Sequence, residues 1–133
     1  MHFNSYILCY HFIEFTGPDF TWPSTSDMGE RRMVFDYIVN PNKWFREGEG
    51  KELATNTLAY RRLIESGTLD PSRGSHIHLI NGKLVRYGPE ISGKKYNELL
   101  SKYPGMYYAP IVEEKPVVRR FSSVTSTGVQ TKE

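Results

Sequence analysis

The sequence predicts an α+β domain: a small mixed sheet built around one β-hairpin, about three helices and a short C-terminal strand. Three observations carry that expectation. Asn81-Gly82 joins two runs of strand-forming residues, the local chemistry of a two-residue hairpin. Three other stretches repeat apolar residues at helical spacing and stop at Gly or Pro. The 133-residue chain is also 38% hydrophobic and 24% charged with a net charge of +2, the composition of a folded domain and not of a coil or a membrane span.

In chain order, Tyr6 to Ile13 (Tyr-Ile-Leu-Cys-Tyr-His-Phe-Ile) is the most apolar stretch. It is too short to cross a bilayer, which takes about 20 residues, and it lacks the basic start and small-residue cleavage site of an export signal. Its Tyr, Ile and Phe are strand formers, so a strand over 5–15 is expected. Thr16 to Ser24 holds Gly17, Pro18 and Pro23 and reads as loop. A helix is expected over 27–39. Asp27 and Glu30 have capping-box spacing, with Ser26 a competitor, and Met33, Val34, Tyr37 and Ile38 form its stripe until Asn40-Pro41. Between Asn42 and Gly50 the pattern is irregular, with Trp44-Phe45 as an aromatic anchor.

The longest helix is expected over 51–66, with Leu53, Thr57, Tyr60 and Ile64 in one stripe beside Ala54, Leu58 and Arg61. Gly67 suits a left-handed cap, and Thr68 to Ser75 reads as a connecting turn. The hairpin covers 76–87. Simple pairing from its turn sets Ile80 against Lys83, Leu79 against Leu84 and His78 against Val85. That register puts Ile77, Leu79, Leu84 and Arg86 on the core face, and His76, His78, Val85 and Tyr87 on the outer face. A last helix over 93–103, capped by Ser92, carries Tyr96, Leu99, Leu100 and Tyr103 on one stripe. Met106 to Ala109 is a short strand limited by Pro110. The expected domain is 1–112, and the polar, Ser/Thr-rich 113–133 reads as a flexible, disordered tail. The β-β-α-β order over His76 to Ile111 resembles the first part of a ubiquitin-like β-grasp.

Chemistry is harder to place. Cys9, the single cysteine, rules out an internal disulfide framework and a cysteine-rich zinc site. His76 and His78 share a strand face, but their expected neighbours Tyr87 and Val85 are not zinc ligands. Cys9 and His11 lack an orienting third group. Gly48-Glu49-Gly50-Lys51 has Phe45 where a phosphate loop needs glycine and Glu52 where it needs Ser/Thr. No catalytic residue, metal or cofactor is therefore expected.

Nine tyrosines, seven phenylalanines and two tryptophans make the chain aromatic-rich, which suits a core and also a contact surface. The expected function is a non-enzymatic module that binds a protein or peptide. Its contact residues would be His76, His78, Lys83 and Tyr87 on the outer hairpin face, with Trp22, Trp44 and Phe45 from the loops. The alternative is a single-stranded nucleic-acid binder, with the Arg31-Arg32, Arg61-Arg62 and Lys94-Lys95 pairs flanking that surface. A fragment of a larger protein, or a small enzyme whose groups meet only in three dimensions, is a further alternative. Arg119-Arg120-Phe121-Ser122 is similar to sites that basophilic kinases accept, making Ser122 a candidate phosphorylation site. An intracellular location, in cytoplasm or nucleus, and no membrane partner are expected.

Overall fold

We describe residues 5–40 and 48–111 of a computed structural model. The chain is α+β, with four helices and a three-stranded antiparallel sheet: α1 (Ser5–Thr16), α2 (Met28–Val39), α3 (Glu49–Ser66), a 3₁₀ turn (Pro71–Arg73), β1 (His76–Ile80), β2 (Lys83–Gly88), α4 (Gly93–Lys102) and β3 (Tyr107–Pro110). None of these helices is long and apolar enough to cross a membrane. Trp44, Phe45, Ser122, Arg119, Arg120 and the expected tail lie outside the described residues.

The expected N-terminal strand is a helix. Strand-forming side chains carry only a weak preference, and tertiary packing overrides it. Leu8, Phe12 and Phe15 have i, i+4, i+7 spacing, so coiling the segment sets them on one side. Phe12 and Phe15 then pack on a core of Val34, Ile38, Ala54 and Leu58 between α2 and α3. The Phe12 ring lies 5.2 Å from Phe35, 5.5 Å from Trp22 and 5.6 Å from Phe20.

The α2 boundary follows its cap. Asp27 accepts a 2.8 Å hydrogen bond from the Glu30 N–H. The reciprocal half of a capping box does not form, because the Glu30 carboxylate instead accepts from Arg61 Nε of α3 at 2.9 Å. This ion pair is nearly buried and ties α2 to α3. Val34 and Ile38 point inward as expected, but Met33 is 46% exposed. Helix α3 ends at Gly67, whose φ of +69° is left-handed. The Ser92 hydroxyl caps α4 by accepting from the Lys95 N–H.

Helix α3 serves two cores. Ala54 and Leu58 meet α2, while Tyr60 meets Ile77, Leu79 and Ala109 of the sheet. The strand order is β2-β1-β3, with both pairings antiparallel, so the sheet is not mixed. A β-grasp sheet sets its first strand parallel to a later one, so the likeness stops at element order.

Asn81 (φ 53°) and Gly82 (φ 75°) make the turn with the positive φ values that a type I′ hairpin needs. Ile80 pairs with Lys83 and Leu79 with Leu84, as the turn dictates. The register then shifts by one: His78 faces Arg86, Ile77 faces Tyr87 and His76 faces Gly88. Val85 is the extra residue of a β-bulge. Because side chains alternate along a strand, one inserted residue exchanges faces for everything beyond it. Tyr87 thus joins the core cluster that the simple register gave to Arg86.

Candidate functional site

The bulge removes Tyr87 from the expected hairpin surface. His76 and His78 stay on the outer face, and Tyr108 of β3 lies across both, its ring 5.6 Å from each. The Tyr108 hydroxyl donates to the Pro89 carbonyl beyond β2, so this ring spans the face. Tyr103 closes the other side of His78, edge-on at 5.8 Å. His78 is only 2% exposed, and neither ring nitrogen has a hydrogen-bond partner. Burial, with a smaller push from Arg86, lowers its pKa below the ordinary 6.5 and favours neutral imidazole. His76 is half-buried, with its Nδ1 2.8 Å from the Ser75 hydroxyl.

The remaining expected residues are scattered. Lys83 is exposed beside the turn. Tyr87 is half-buried, its hydroxyl accepting from the Asp70 N–H and its ring lying 4.5 Å beneath the Arg73 guanidinium. Trp22 is held by Phe12 and Phe20, with the Arg31 guanidinium over it at 5.6 Å. It is a structural ring more than a presented one. Tyr103 over the outer hairpin face is 38% exposed, and Lys83 and Arg86, paired with Ile80 and His78, are exposed beside it.

The turn has a firm anchor that sequence reasoning missed. Asn56, fully buried on α3, accepts from the Gly82 N–H at 2.7 Å and donates to the Gly105 carbonyl at 2.9 Å and to Glu52 at 2.8 Å. Glu52 in turn accepts from the Asn81 N–H. A Cβ on Gly82 would come within 2.8 Å of the Thr55 methyl, so the turn sits directly on the helix. An Asn on a helix reads as a solvent-facing residue; only the fold supplies two turns for it to clasp.

Burial and hydrogen bonding displace further titratable groups. Tyr107 is pushed up to about 12 by burial, with the Glu30 carboxylate adding to it. Glu65 is held below the usual carboxylate range by the Thr25 N–H and hydroxyl and by Ser24, fastening the loop before α2. A cleft of about 520 Å³ beside α1 is lined by His11, Glu14, Phe15, Ile38, Val39 and Lys51. His11 and Glu14 approach to 4.0 Å there, but both are more than half exposed, so water screens the contact. Cys9 is exposed. Among the described residues, no group of three or more His, Cys, Asp or Glu side chains could hold a metal ion.

A further feature is on α1. Ile7 is 53% exposed, Tyr10 63% and Ile13 50%, in one stripe on the side opposite Phe12 and Phe15. A globular helix normally buries one apolar stripe and turns polar residues to water; one that is apolar all round has cover on every side. The signal lay in the sequence as two interleaved apolar stripes within one short segment, 8-12-15 and 7-10-13. No protein family, curated protein or solved structure matches the chain.

Proposed function

We propose that the chain is a non-enzymatic protein-interaction module whose contact surface is the solvent face of α1. The observation that carries this is the double apolar character of that helix, one face on α2 and the other in water. Tyr10 sits at the centre of the stripe, an amphipathic ring of the kind enriched at interface cores, with an isoleucine on either side. The outer hairpin face, already covered by Tyr103 and Tyr108, offers much less.

A photo-crosslinking amino acid placed at position 10, and separately at the exposed position 83, tests the reading in cells expressing the full chain. Adducts heavier than the 15.4 kDa chain are expected from position 10 and not from position 83. No adduct from position 10, or adducts from position 83 alone, would overturn it.

A further inference from the structure

The stripe on α1 has a symmetry that suits a second copy of the chain. Ile7, Tyr10 and Ile13 are spaced evenly about Tyr10, so the row is the same read from either end. A two-fold axis through Tyr10 sets Ile7 of one copy on Ile13 of the other, twice, and Tyr10 on Tyr10. An isologous interface needs this self-complementarity.

The charges agree with the same arrangement. The first turn of α1 has no acidic residue and its last turn no basic one. Its one carboxylate, Glu14, lies near the helix C-terminus, where the helix dipole disfavours an anion. In an antiparallel pair, each Glu14 falls beside the first turn of the other helix, the positive end of its dipole. A parallel pair would instead set Glu14 against Glu14. No Lys or Arg lies in α1 itself.

We propose that the solvent face of α1 docks on the same face of a second copy of this chain, with the two helices antiparallel about Tyr10. This rests on the reading of α1 as the contact surface and adds what covers it. The size of the patch sets the strength. A 12-residue helix is about 18 Å long and 10–12 Å across, so its face falls short of the roughly 800 Å² per partner of a standard interface. The dimer belongs to the weak, reversible class, half-formed at a concentration on the order of 100 µM.

Sedimentation velocity on the purified full chain, from about 10 µM to 1 mM, reads the dimer; reductant keeps Cys9 from forming a disulfide. Concentration-dependent dimer is expected. Tyr10→Lys, an exposed change that leaves the helix formed, weakens it about thirty-fold or more. Glu14→Gln separates the two orientations: a weakening of about three-fold supports the antiparallel pair, whereas no change or a tighter dimer overturns it. A chain that stays monomeric to 1 mM, or a dimer indifferent to Tyr10→Lys, overturns docking on a second copy. In that case, position-10 adducts to a different protein leave the interaction reading standing, and their absence removes both.

Discussion

Helix α1 and the Asn81-Gly82 hairpin meet the rest of the molecule in opposite ways. The hairpin is fastened by directed bonds: Asn56 and Glu52 take the N–H groups of its turn, and Ile77 and Leu79 are fully buried against Tyr60 of α3. Helix α1 is held by ring packing around Phe12, on one side, with its other side still apolar. Local order therefore comes from saturated polar contacts as much as from apolar area. Helix α1, which keeps spare apolar surface, is the segment proposed to meet another molecule.

The contrast is broken most severely by Leu79→Ala, which opens a cavity under the hairpin and costs about 2–5 kcal/mol in chemical denaturation. Asn56→Leu comes next. It leaves the part-buried Gly82 N–H and the buried Gly105 carbonyl without their partner, for a loss of about 2–4 kcal/mol. The two faces of α1 sharpen the comparison further. Phe12→Ala removes contacts to three aromatic rings and lowers stability by about 1–3 kcal/mol. Tyr10→Ser, two residues away, stays within about 0.5 kcal/mol in the monomer. Equal losses at positions 10 and 12 would show that α1 has no free face.

The smallest expected effect is a pH slope. His78 has a folded-state pKa below its ordinary 6.5, so the unfolded chain takes up its proton first. Stability is unaffected well above pH 6.5, falls as pH drops through that value and levels off below the folded pKa. The Glu65 contribution is lost in a separate, lower window, as pH falls from the ordinary carboxylate range through its depressed value. Urea midpoints at pH 7.5 and pH 5.5 should therefore differ in the native chain. His78→Leu should flatten that difference and leave the acid limb in place.

What could be read in advance was whatever a few neighbouring residues decide. Asn81-Gly82 dictates its own turn, Gly67 its own cap, and Asp27 and Ser92 their helix starts, because each acts over three or four positions. The bulge at Val85 depends on how β2 settles against β1 and α3, and simple counting from the turn passed over it. The state of α1 was hidden because strand-forming side chains also carried helical spacing, and the packing that chose between them came from α2. The proposed contact surface follows the same logic: the hairpin is legible, so it draws the expectation, while the exposed stripe emerges only once α1 is a helix.

The extra residue at Val85 has one more consequence. A flat, regular border strand invites further strands to add alongside it, the route by which small sheets polymerise into fibres. Here the outer border of β2 is bent by the insertion and carries Lys83 and Arg86, and the opposite border ends at Pro110, which has no N–H to offer. Lateral growth is discouraged on both sides, and a second chain is left to approach through side chains instead of backbone.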